Sequence, residues 1–397
     1  MRKAAWFFAI AAAVAAAWWA LGREQAPPAT APPAAPLAGQ ARRSEERRAI
    51  DLGLDWLASA QEPDGSWSCA RWGTCEGKHD LPGIPDHIDR LLDPGVSALA
   101  ILPFLYDGQT PTKGRHAEVV RRGLLYLRVM GESYLQYGLP RYANPAPSQW
   151  HWGTVAEEYN PVLVHAALAE ALLRAGLEEL RPAVEGAVRQ MTTERRPDRP
   201  WARTLSPYDI GPVVFWVQLM EAAEAAGVKV PSSARAELRS YLSELTEDYT
   251  GRVLNKDICP ECLGGWDAQA VAVLARAWID PSASPVREAE LATIAAHPPA
   301  WVTEWKVPED ETKGMTAIWR CSRDIVNYYY WYYGLLALTR HGGERGRDWR
   351  AALSSTLLAH QILEGPVAGS WEPLDPWGRI GGRVYSTAYA VLSLQAP

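Results

Sequence analysis

Asn327-Tyr-Tyr-Tyr-Trp-Tyr-Tyr-Gly334, followed by Gln361, Gly369-Ser-Trp371 and Gly381-Gly-Arg-Val-Tyr-Ser-Thr-Ala388, is the stretch that decides the fold. It is echoed near the N-terminus by Trp56-Leu-Ala-Ser-Ala-Gln61-Glu-Pro-Asp-Gly65-Ser-Trp67. In both copies a Gln closes a helix-like segment, a Gly-x-Trp follows a few residues later, and a second apolar segment comes after it. A unit of this kind repeats when helical hairpins are stacked.

The alternation runs through the body of the chain. Candidate amphipathic helices with charged faces lie near 45–60, 117–130, 181–193, 233–246, 286–296 and 348–362, and each is followed by a mostly apolar partner. The partners lie near 95–106, 161–175, 210–226, 266–279, 326–340 and 384–395. Arg121, Arg122 and Arg128 mark one side of the second charged helix, which suits an outer layer. Val162-Leu-Val-His-Ala-Ala-Leu-Ala-Glu-Ala-Leu-Leu173 is apolar almost all round, so it reads as buried. A linear solenoid would leave one side of every inner helix in water, whereas a closed ring buries it. The expected fold is therefore all-α, an α6/α6 barrel of six helical hairpins.

Gln61, Gly65 and Trp67 at one end, and Gln361, Gly369 and Trp371 at the other, resemble the Gln-Trp repeats of the terpene cyclase and protein prenyltransferase superfamily. The closest likeness is to bacterial squalene-cyclase-repeat proteins that form a single toroid. It covers about residues 48–395 and is sharp at both ends, while middle copies such as Gln190 with Pro197-Asp-Arg-Pro-Trp201 are degenerate. The motif also has a structural reading, in which Gln satisfies backbone groups at a neighbouring helix end while Trp packs over its amide.

A repeat body spanning 45–397 needs no second domain, because each hairpin adds its own share of core. Lys and Arg number 40 against 46 Asp and Glu, a net charge of −6, which gives no basic footprint for nucleic acid. Met1-Arg-Lys3 precedes an uncharged apolar run to Gly22, and residues 23–44 read as a Pro- and Ala-rich linker. This pattern predicts export, with 1–22 acting as a cleaved signal or as an anchor in the inner membrane. As a helix the run would span ~27 Å against a hydrocarbon core of ~30 Å. With Arg2 and Lys3 held inside, the body faces the extracytoplasmic side in either case.

Inner-to-outer connections are short, and outer-to-inner connections, including 61–93, 131–159, 247–264 and 297–324, are long. In a ring of parallel inner helices all the long loops share one face, where a site is to be sought. That face collects helix starts near Asp93, Asn160, Asp209, Asp267 and Asp324 or Asn327, whose side chains suit capping. It also collects the cysteines: Cys69 and Cys75, Cys259 and Cys262, and Cys321. Cys69, Cys75, Cys259 and Cys262 are disulfide candidates in an exported protein. A structural zinc, with His79 as a further ligand, and free thiols stay open as alternatives.

Squalene-type cyclases protonate an alkene with an Asp-x-Asp-Asp acid, and diphosphate-ionising synthases use Asp-Asp-x-x-Asp; neither motif occurs here. Asp257-Ile-Cys259 matches the local zinc pair of protein prenyltransferases, but it precedes the expected inner helix, and the fifth inner helix offers Tyr residues rather than a His. Asp209, Asp267 and Asp324 remain the candidate catalytic carboxylates. Glu157, Glu158, Asp209 and Asp267 would be the acids of a glycan hydrolase or lyase. Six consecutive aromatics at 328–333 point in every direction on a helix, so some are expected to line a central cavity. His165, Trp216, Tyr329, Trp331, Tyr332 and Tyr389 are the expected ligand-binding set, suited to an isoprenoid chain or a sugar ring. The sequence names no cofactor and no metal site. It favours an exported binding or scaffolding module, with an isoprenoid- or glycan-directed enzyme as the alternative.

Overall fold

The computed structural model describes residues 36–72, 91–137, 152–193, 210–246, 253, 265–280, 288–303, 326–375 and 377–397, with backbone alone at 36–40, 152–158, 379 and 380. The chain divides into two units, Met1–Ser44 and Glu45–Pro397, and the second is the subject below. Among the described residues the secondary structure is all-α: twelve α-helices, one 3-10 turn and no strand. In chain order they are α1 (Pro36–Ser59), α2 (Asp93–Tyr106), α3 (Ala117–Tyr137), α4 (Trp152–Ala175), α5 (Arg181–Thr193) and α6 (Val213–Ala225). Then follow α7 (Ser232–Leu245), α8 (Trp266–Ile279), α9 (Glu288–Ala295), α10 (Tyr328–Arg340), α11 (Glu344–Ala359) and α12 (Gly378–Gln395).

The helices alternate in character as the sequence pattern requires. Every residue of α2 from Asp93 to Leu105 is buried, and α8 is buried from Ala268 to Ile279 apart from Arg276. The odd helices bury one stripe: in α3 it is Val120, Gly123, Leu124, Leu127, Gly131 and Tyr134, the i, i+3, i+4, i+7 spacing of one helix face. Contacts between the even helices form a closed cycle, α2 to α4 to α6 to α8 to α10 to α12 and back to α2. The odd helices pack outside this sequence of contacts, α3 on α2 and α4, α5 on α4 and α6, α9 on α8 and α10, α11 on α10 and α12.

The Gln-Gly-Trp element is a joint between one odd helix and the next. Gln61 Nε2 donates to the carbonyls of Gly65 (3.1 Å) and of Val119 on α3 (3.0 Å). Gln361 Nε2 donates to Gly369 (2.9 Å) and to Ala49 on α1 (2.9 Å). Trp67 and Trp371 donate their indole N–H back to Leu57 O (2.7 Å) and Leu357 O (2.8 Å). Gly65 and Gly369 hold φ of 92° and 94°. A Cβ at either would overlap a backbone carbonyl oxygen, that of Arg122 or of Leu52. The receiving helices match as well: Gly123 and Gly53 leave room for Trp67 and Trp371.

Two boundaries differ from the pattern reading. Helix α4 starts at Trp152, so Asn160 and Pro161 lie inside it rather than at its start. Asn160 instead caps a neighbour: its Oδ1 accepts from Gly95 N (3.1 Å) and its Nδ2 donates to Leu91 O (2.7 Å), both at the start of α2. Helix α1 starts at Pro36, inside the segment read as spacer; Pro suits a first helical turn and Gln40, Ala41 and Arg42 then carry good propensity. No helix among the described residues is long and apolar enough to cross a membrane, and the 1–22 segment lies outside them.

Candidate functional site

The six even helices converge on a mainly apolar pit of about 110 Å³. Helix α2 supplies Val96 and Leu99, α4 Leu163, α6 Phe215, α8 Val271, α10 Tyr329 and α12 Tyr385 and Tyr389. The polar atoms of these walls are engaged within the protein. Tyr329 OH donates to Gly211 O (2.9 Å), and Tyr385 OH to Asp375 Oδ2 (3.1 Å). Asn160 is committed to α2 as described. What faces the hollow is mainly aliphatic side chain and aromatic ring, with Asp267 as the one acidic residue among the described lining residues.

Asp375, in the loop before α12, is fully buried beneath this wall. Its Oδ2 also accepts from Tyr328 N (3.1 Å) at the start of α10, and its Oδ1 accepts from Gly378 N at the start of α12. One carboxylate thus ties two helix starts together. Burial dominates its protonation and pushes its pKa up to about 7, against four donors, the N–H groups of Gly378, Tyr328 and Trp377 and the Tyr385 hydroxyl, that favour the ionised form.

Below the pit lies a layer of tyrosines. Tyr329 and Tyr333 meet at 4.7 Å between centroids, Tyr332 and Tyr333 at 5.0 Å, and Tyr389 packs on Tyr332 at 5.7 Å and on Tyr329 and Tyr333 at 6.0 Å. Most of these contacts are edge-to-face, the favoured arrangement of ring quadrupoles. Burial pushes the phenols of Tyr333, Tyr385 and Tyr389 well above the usual range, so they stay neutral donors.

The expected ligand-binding set divides in two. Tyr329 and Tyr389 line the pit, and Tyr332 lies in the layer beneath. His165, Trp216 and Trp331 serve other contacts. His165 is wholly buried against Gly131 and Tyr134 of α3, with Nδ1 2.7 Å from Pro161 O, and burial lowers its pKa to about 4. Trp216 packs edge-on against Trp278 at 5.3 Å. Trp331 sits between Tyr328 and Trp301, and its carbonyl accepts from Trp349 Nε1 (3.2 Å).

Of the candidate catalytic carboxylates, Asp267 lies in the first turn of α8, half-buried at the pit wall. Asp209 and Asp324 lie outside the described residues, as do Asp257, the side chains of Glu157 and Glu158, His79, Cys75, Cys259, Cys262 and Cys321. Cys69 is buried, and its N–H donates to Asp93 Oδ1 (2.9 Å). Among the described residues no three His, Cys, Asp or Glu side chains converge as a metal site requires. Asp375 escaped the sequence reading because a Pro-flanked loop residue carries no periodic signal, and the equivalent position of the other motif copy, four residues after Trp67, is the exposed Arg71. No family model matches the chain, and no curated protein does.

Proposed function

We propose that the twelve helices form an α6/α6 toroid of the squalene-cyclase-repeat kind, exported through its N-terminal segment, that binds the end of an apolar chain of the isoprenoid class. The closed cycle of even-helix contacts supports the toroid, and so does the equivalence of the Gln361 joint to the Gln61 joint. The observation that carries the binding role is the pit. It stands where the six even helices converge, and the polar groups of Asn160, Tyr329 and Tyr385 in its walls are used internally, so an apolar guest strips them of no hydrogen bond on entering. Its size matters too. A cavity of ~150 Å³ takes benzene, so about 110 Å³ takes roughly one five-carbon unit. The role is binding or scaffolding, with the guest's remainder outside the pit.

A second reading, an enzyme acting on the same guest, is favoured by Asp375. A carboxyl titrating near neutrality lies one hydrogen bond behind Tyr385 at the pit wall. Farnesol titration of the purified chain, followed by tyrosine and tryptophan fluorescence, tests the primary reading. Binding is expected, and Val96→Phe, which fills the pit, should abolish it while the melting temperature holds. Farnesol binding that survives Val96→Phe, or no binding at all, removes the pit as a site. Conversion of farnesol to new products would decide for the enzyme.

A further inference from the structure

On the far side of the tyrosine layer from the pit lies a second hollow, of about 710 Å³, lined by the last turns of the even helices. Its chemistry is different. Tyr106 OH donates to Glu170 Oε1 (2.9 Å), Gln218 Nε2 reaches the same oxygen (3.4 Å), and Arg174 Nε holds Oε2 (2.6 Å). The Arg174 guanidinium lies over the Tyr106 ring at 3.7 Å. Across the basin Arg340 pairs with Glu221 (2.7 Å). Between these polar groups stand Val217, Leu274, Leu336 and the rings of Tyr332 and Tyr333. The rim at Gly342 and Gly343 is bare backbone, with φ of 69° and 90° and nothing within 4 Å of where a Cβ would be.

The pairing pattern selects the ligand class. A bound anion needs a cation with charge to spare, yet Arg174, Arg340 and Arg350 are each paired, with Glu170, Glu221 and Glu46. Arg347 is a largely exposed side chain 3.7 Å from Glu344. A bound cation needs a carboxylate with charge to spare, yet Glu170 is 5% exposed and already accepts three donors, and Glu221 is neutralised by Arg340 at 2.7 Å. What the walls retain is hydrogen-bonding capacity in planar, charge-balanced groups, set beside aromatic and aliphatic surface. Gln218 has spent one amide hydrogen; Arg340 and Glu221 have spent one contact each. That combination suits vicinal hydroxyls on one face of a ring and C–H groups on the other. The volume falls within the ~300–1,000 Å³ usual for small-molecule sites.

We infer that this basin is a carbohydrate site for a neutral mono- or disaccharide, separate from the apolar pit. It does not depend on the isoprenoid reading, since the tyrosine layer stands between the two hollows.

The test is saturation-transfer NMR on the full chain with glucose, galactose, mannose, N-acetylglucosamine, maltose, trehalose and chitobiose. Each is offered at about 10 mM, enough to fill a site of Kd ~1 mM. At least one sugar should bind, and farnesol should not displace it. Gln218→Leu removes a half-buried amide at the end of the network and should weaken binding at least tenfold with the melting temperature nearly unchanged. Leu336→Trp fills the basin from another helix and should do the same, which keeps the test decisive if one variant folds poorly. No binding by any sugar overturns the inference. So does binding indifferent to both variants, displacement of the sugar by farnesol, or binding of inorganic sulfate alone, which would mark an anion site at Arg347.

Discussion

Asp375 and His165 are two fully buried titratable groups whose protonation pulls stability in opposite directions. Asp375 rises from an ordinary 3.8 to about 7, so between those values the folded chain holds a proton that the unfolded chain has released, and stability falls as pH rises. His165 drops from 6.5 to about 4, so over its window the unfolded chain holds the extra proton, and stability falls as pH drops. Each effect is of order 3–4 kcal/mol at most, and from pH 4 to 6.5 they offset each other. Asp375→Asn should therefore unmask a stability that climbs with pH in this window, and His165→Gln one that declines. Urea midpoints at several pH values check this; equal slopes in both variants would refute the assignment. The burial of the helix that carries His165 was legible from its all-apolar sequence, but the sequence put His165 itself in the ligand-binding set rather than against α3. The burial of Asp375 was not legible, since it is created by α10 and α12 closing over a loop that has no pattern of its own.

At the scale of the element, helix existence was legible throughout, because amphipathic and all-apolar stripes alternate without a break. The start of α4 was not. Pro161 is a normal first-turn residue, and nothing local shows that Asn160 is needed inside the helix to cap its neighbour. The Gln-Gly-Trp joint was legible as a motif, but its partner helix became visible only through Val119 and Ala49. The joint predicts matched costs at both ends of the chain. Gly65→Ala and Gly369→Ala each force an L side chain to positive φ against a carbonyl, and each should cost more than about 1 kcal/mol. Gln61→Ala and Gln361→Ala each strip a donor from two carbonyls, one on the next odd helix, and should cost about 1–3 kcal/mol. Denaturant unfolding of the four variants measures this. Losses within about 0.5 kcal/mol, as at an ordinary surface site, would show that the joint holds nothing.

For the whole molecule, the expectation of a ring came from inner helices too apolar to leave one side in water. The residues that would close it were also present in the sequence, as Gly53 in α1 and Gly123 in α3, but one sequence does not show which glycine receives which Trp. In the proposed toroid α1 is the neighbour of α11 just as α3 is the neighbour of α1. Removing residues 344–397 should then expose α2 and α10 together and yield an aggregating, dye-binding species, where loss of the end of an open array would leave a shortened but soluble one. Closure also changes how the intact chain opens. In an open stack the terminal hairpins have one neighbour each and fray at lower free energy than the middle, whereas in a closed ring every hairpin has two neighbours. Native-state hydrogen exchange should therefore find amides of α2 and α12 protected to the same limit as those of α6 and α8. Exchange of α1–α2 or α11–α12 through a separate, lower-energy opening would identify an open array and overturn the toroid.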